Sequence, residues 1–208
     1  MRPPLNVLWN IFLAVLPVVI AFAAAHFVRG ARREGRSVKA WIIPVLLMWL
    51  ALLPNTCYLL TEWRHYLDEI TTKPTIVTGA RHNPHMMLDF LMLTAFYAVY
   101  SGMGILTFFL AIAPIDRLVR PPRFVKPLFF ILCSLGVYLG LIPRFNSWDF
   151  LHRPGAIFAT IAEAFARPPL ALLIVGFGIA LWGLYFLFSL MIDGLELRLK
   201  ADRASETS

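Results

Sequence analysis

The chain has 208 residues, 59% of them hydrophobic, with 19 Lys and Arg against 12 Asp and Glu and a formal net charge of +7. Soluble domains carry ~45–50% apolar residues, so this composition excludes an ordinary water-soluble globule and points to a chain dissolved in lipid. The positive balance calls for no nucleic acid, because the cations gather in short loops between apolar runs, as the positive-inside rule requires.

Leu5 to Val28 is the first apolar run and is long enough to cross ~30 Å of hydrocarbon. Ala23 and Ala25 imitate a signal-cleavage site, but only Arg2 precedes the run, so it reads as a retained span. Arg29, Arg32, Arg33, Arg36 and Lys39 follow it, which makes that loop cytoplasmic and places the N-terminus outside. Trp41 to Leu60 is the second span, interrupted by Pro44 and Pro54. Pro54 has no amide hydrogen and its ring crowds the Leu50 carbonyl. In lipid that carbonyl needs another partner, and Asn55 is the nearest candidate. Thr61 to Met86 is then extracytoplasmic.

Met87 to Ala113 is the third span, running inward. Asp89 sits one turn below its outer end, Ser101, Gly102 and Gly104 permit close helix contact, and Pro114 ends the run. Arg117, Arg120, Arg123 and Lys126 make the next loop basic and cytoplasmic. Leu128 to Ile142 is the fourth span. Its fifteen residues are short for a bilayer, so Phe124 and Val125, or the residues toward Phe145, are expected to extend it. Gly136 and Gly140 provide a small-xxx-small packing pair.

Pro143 to Arg167 is outside. Within it, residues 155–167 read as a short interfacial helix, with Ile157, Phe158, Ile161 and Phe165 on one face and Thr160, Glu163 and Arg167 on the other. Leu170 to Ile192 is the fifth span. The expected fold is an all-α polytopic membrane bundle over residues 1–192, with five spans, N-terminus out and C-terminus in. A polar cytoplasmic tail, 193–208, begins as a helical extension. Twelve Lys and Arg then lie inside and seven outside. The apolar placement of Cys57 and Cys133 argues against a disulfide.

The richest stretch is Leu53 to Asp68, LPNTCYLLTEWRHYLD. On a helix, Asn55, Tyr58, Glu62, His65 and Glu69 share an arc of ~80°. The topology brings this stretch, the segment His82 to Asp89 and the segment Arg144 to His152 to the outer membrane face, with four of the five histidines. Unpaired polar groups near lipid are costly, so such a gathering implies mutual pairing, a watery cavity or a ligand. Glu62 and His65 form an E-x-x-H pair. With His85 and Asp89 they offer two oxygen and two nitrogen donors, a set suited to zinc or another divalent cofactor. Without metal, Glu62, His65 and Asp89 are the candidate acid and base groups. Asp89, in an apolar context, should be paired, with Arg144 or Arg81 as candidates.

LPNTCYLLTEWRH, followed by GVYLGLIPRFNSWD, resembles the domain-of-unknown-function 1361 family of predicted bacterial membrane proteins. The resemblance singles out Asn55, Tyr58, Glu62, His65, Asp89, Arg144, Asn146, Trp148 and Asp149. Glu62 stands where the family pattern has Asp, and Leu141 where it has Arg. The resemblance implies a fold and a site but no activity.

P-loop, dinucleotide, G-x-S-x-G and C-x-x-C motifs are all missing from the sequence. Three readings follow. One is a multi-pass protein of the cell membrane whose outer polar cluster is structural or binds a ligand or partner. Another is a membrane-embedded enzyme, metal-dependent or acid/base, acting on lipid or lipid-linked substrate. The last is a small transporter or proton-coupled protein with Asp89 in its path. The lipid bilayer is the one partner the sequence implies.

Overall fold

A computed structural model describes residues 4–35, 37, 39–72, 74–122, 125–145 and 149–206. Arg2, Arg36, Lys73 and Arg123 of the charge balance, Phe124 of the fourth run, and Asn146, Ser147 and Trp148 lie outside the described residues. All regular structure among the described residues is α-helix. The chain divides into two compact units, Met1–Arg120 and Pro121–Ser208.

The first unit holds α1 (Pro4–Arg33), α2 (Lys39–Leu52), α3 (Pro54–Thr61), α4 (Trp63–Thr72), α5 (Pro74–Ala80) and α6 (Pro84–Val119). The second holds α7 (Val125–Leu141), α8 (Asp149–His152), α9 (Pro154–Ala166) and α10 (Pro168–Glu206). Proline punctuates the chain. Pro54, Pro74, Pro84, Pro154 and Pro168 each open a helix, where the missing N–H has no intrahelical acceptor to lose.

Four stretches are long and apolar enough to cross a membrane: Val7–Arg33, Trp41–Thr72, Pro84–Val119 and Pro168–Ser205. The run expected as a fourth span forms the shorter apolar helix α7, and the run expected as an interfacial helix forms the short apolar helix α9. Pro114 does not end its run, contrary to expectation. Proline forfeits only one backbone bond and crowds one carbonyl. The packing of Ala111, Ile112 and Ile115 carries α6 on to Val119. There Arg120, in the left-handed region at φ 48°, closes the helix with its N–H on the Asp116 carbonyl at 2.8 Å. Of the two prolines expected to interrupt the second span, Pro44 lies inside the continuous helix α2, whereas the chain breaks at Leu53, just before Pro54, and again at Glu62, beyond the span's expected end.

In the first unit α1 and α3 pack on α6. Ala14, Leu59 and Tyr100 form the centre, with Val7, Ile11 and Met103 against them. Gly104 makes the approach of α3 and α6 close: a Cβ there would stand 2.8 Å from Leu59 Cβ and 3.3 Å from the Thr56 carbonyl oxygen. The Trp49 indole N–H donates to the Ala111 carbonyl at 3.0 Å, tying α2 to the same helix.

In the second unit α7 packs along α10. Gly178 lets the backbones approach, since a Cβ there would meet Ile131 Cα at 2.8 Å. The Ser134 hydroxyl donates to the Ile174 carbonyl at 2.6 Å. α9 packs on α10 and α8 with Ile157 and Ala164 buried, while Phe158 and Phe165 remain exposed and Glu163 pairs with Arg167. α9 therefore has a packed face, a free apolar face and a polar face.

Candidate functional site at the break between α3 and α4

The site begins with the proline break. The Leu53 N–H closes α2 on the Trp49 carbonyl at 2.9 Å, and Pro54 opens α3. The side chain that turns back to the chain here belongs to Thr56, beside Asn55. Its hydroxyl donates to the Leu53 carbonyl at 2.8 Å. Thr56 is fully buried, so this bond removes the cost of a hydroxyl in an apolar interior.

Asn55, Tyr58, Glu62, His65 and Glu69 are all half-buried. Leu59 and Tyr66, next to them around the helix, are buried, whereas Arg64, Leu67 and Asp68 are exposed. The polar arc thus lies along the edge of the packed surface. The chain turns at Glu62, where the His65 N–H reaches the Glu62 carbonyl at 2.8 Å. That turn sets His65 Nε2 at 3.8 Å from Glu62 Oε2, with side chains 24% and 21% exposed.

Behind the pair stand groups that the sequence reading passed over. A side-chain hydrogen bond joins Tyr100 of α6 to Asn10 of α1, and Glu62 and Tyr97 lie within electrostatic reach of the Tyr100 hydroxyl. The Tyr66 hydroxyl bonds that of Thr94 at 2.9 Å, and its ring meets Tyr97 at 5.5 Å. A signal for Asn10 was available. An amide inside an apolar run must find a partner within the bundle, which makes it a marker of polar company on a neighbouring helix.

The histidine-rich segment has a local role. Asn83 is extended at φ −131° and caps α6, its side-chain oxygen accepting the His85 N–H at 2.9 Å. The ring of His82 lies 3.1 Å from the Thr78 carbonyl oxygen. His82, His85 and Asp89 are exposed. Among the described residues of this unit, Asp89 has no ion pair with Arg81. Of Glu62, His65, His85 and Asp89, the structure brings Glu62 and His65 together. Among the described residues no three His, Cys, Asp or Glu form a group able to hold a metal ion.

The remaining expected site residues belong to the second unit. Arg144 is exposed and left-handed at φ 60°, in the turn after α7 where the Phe145 N–H bonds the Leu139 carbonyl at 2.9 Å. Asp149 is buried, 4% exposed, and takes two hydrogen bonds from Arg153, at 2.9 and 3.3 Å. Asn146 and Trp148 lie outside the described residues.

A carboxylate and an imidazole 3.8 Å apart, with Tyr100 within electrostatic reach of the carboxylate, can hold a proton, pass it, or bind a polar group at the edge of an apolar bundle. The four long apolar stretches fit a multi-pass, membrane-embedded helical protein. The family model described as "Protein of unknown function (DUF1361)" matches residues 9–184, and the chain belongs to that family. No curated protein and no solved structure matches the chain.

Proposed function

We propose that this is a five-span protein of the cytoplasmic membrane, N-terminus outside and C-terminus inside. It binds a ligand or partner through the Glu62–His65 cluster at its extracytoplasmic face. α7 is the additional crossing, and the basic loops after α1 and α6 hold the orientation by the positive-inside rule. The observation that supports the binding role most is the half-buried 3.8 Å approach of Glu62 to His65, backed by Tyr100 and Asn10. Solvated residues at a helix end have no need of such a second layer of polar groups.

The same pair favours a second reading, in which Glu62 and His65 act as base and acid on a lipid or lipid-linked substrate at the outer leaflet. A divalent ion held by this pair would need further donors from outside the grouped residues.

One experiment addresses both parts. Single cysteines introduced by Asp68→Cys and Arg33→Cys are exposed in membranes to an impermeant maleimide. Cys57 and Cys133 are buried, which keeps the native background silent. External labelling of the first alone supports the orientation. Purified protein is then titrated with a total polar lipid extract. A rise in melting temperature that Glu62→Gln/His65→Gln abolishes, while that variant folds unchanged, supports the binding role. An equal rise in both proteins rejects it.

A further inference from the structure

α10 uses one face inside the chain. Ile174, Leu181 and Tyr185 are buried against its neighbours, with Gly178 at the closest approach to α7. On the opposite face, Leu173, Gly176, Ala180, Gly183, Leu187 and Leu190 follow one another at alternating intervals of three and four residues. This is the heptad spacing that keeps one stripe of a helix facing a supercoiled partner. Leu173, Leu187 and Leu190 are 66%, 63% and 53% exposed. Gly178 is required by packing, but a Cβ at Gly176, Gly183 or Gly194 would meet nothing within 4 Å. Glycine inside a helix costs ~1 kcal/mol relative to alanine, and among the described residues of this unit no close packing repays it at those three positions.

Lipid alone accounts for an apolar stripe inside a membrane, but not for its continuation beyond. After Ile192 the helix enters a charged stretch, yet the same spacing runs on through Gly194, Leu197, Ala201 and Ala204. All four are exposed and apolar; the other faces carry the charged residues together with two exposed leucines, Leu195 and Leu199. In heptad terms these residues take the two core positions, and Asp193 and Arg198 take the flanking positions on either side. Five residues apart, those two cannot pair within one helix. In a parallel two-stranded coil, each faces the opposite charge on the other strand. Two copies inserted in the same membrane orientation have parallel α10 helices, so the charge pattern matches the arrangement topology imposes.

We infer that α10 is a homodimerisation helix: two copies of this chain pack along the Leu173–Ala204 seam in a parallel, left-handed coil. Glycine and alanine let the backbones approach within the membrane. Leucine fills the remaining core positions, and two symmetric Asp193–Arg198 pairs fix the register in the cytoplasmic extension.

Oxidative cross-linking of the full chain in native membranes tests the seam. Gly183→Cys and Leu197→Cys should each give a covalent dimer of twice the chain mass. Leu195→Cys, also exposed but off the seam, should not. In detergent, Arg198→Asp sets like charges opposite one another and should weaken self-association roughly fivefold, with Asp193→Arg/Arg198→Asp restoring it. Three results would overturn the inference: Leu195→Cys cross-linking as readily as the seam positions, products joining a different protein, or a charge swap that fails to restore association. The buried face of α10 is untouched by every variant, so loss of folding does not confound the result.

Discussion

Gly104 and Gly102 lie two residues apart on α6 and should respond to the same substitution in opposite ways. At Gly104 a methyl group runs into Leu59 Cβ at 2.8 Å and the Leu60 backbone nitrogen at 3.2 Å. These atoms are not the ends of flexible side chains, so α3 must move. Overpacking of this kind costs about 1–3 kcal/mol. At Gly102 the added carbon meets nothing within 4 Å. There alanine removes backbone freedom from the unfolded chain and should stabilise by about 0.5–1 kcal/mol. Thermal melting of Gly104→Ala and Gly102→Ala in one detergent should show the first below the parent and the second at or above it. A fall for both, or for neither, would show that α3 and α6 are not this close. The sequence already marked both glycines as packing residues. It could not rank them, because the difference lies in a partner helix more than forty residues away in the chain.

At the scale of the element, helix starts were more legible than helix ends. Asn83-Pro84 is a cap followed by a first-turn proline, and it starts α6 three residues ahead of the expected Met87. An exposed cap with a 2.9 Å bond is worth about 1 kcal/mol. Asn83→Ala should therefore speed amide exchange in the first turn of α6 several-fold and leave the turns around Gly104 unaffected. Uniform acceleration along α6 would show that the cap supports the whole helix. Pro114 illustrates the opposite case, since its local penalty is visible in sequence and the packing that outweighs it is not. The polar arc from Asn55 to Glu69 was legible because helical periodicity needs only local spacing. Its companions Asn10, Tyr97 and Tyr100 were not, because they come from two other helices. The same holds for Asp149. Its partner Arg153 is a simple i,i+4 neighbour, but nothing local says that the carboxylate is buried.

At the scale of the whole molecule, composition alone carried the membrane class, and the apolar helices agree with it. The helices nevertheless differ greatly in reach. At 1.5 Å per residue, the 39 residues of α10 extend about 58 Å, whereas the 17 of α7 extend about 26 Å. The first can tilt to suit any bilayer, with its polar end outside. The second is already shorter than ~30 Å of hydrocarbon and has no slack. It is also anchored to α10 by the Ser134–Ile174 bond and the contact at Gly178, so it cannot slide to find more length. As a crossing, α7 makes the protein a gauge of bilayer thickness. Short-chain lipids fit it, and long-chain lipids must thin locally around it at a fraction of a kcal/mol per ångström. Reconstituted into nanodiscs of graded acyl length, the protein should melt highest in the thinnest bilayer that still covers α1 and α6, and progressively lower as the chains lengthen. A melting temperature indifferent to chain length would mean that α7 never has to match the membrane at all. In a cell with membranes of unequal depth, the same shortness would favour residence in the shallower ones.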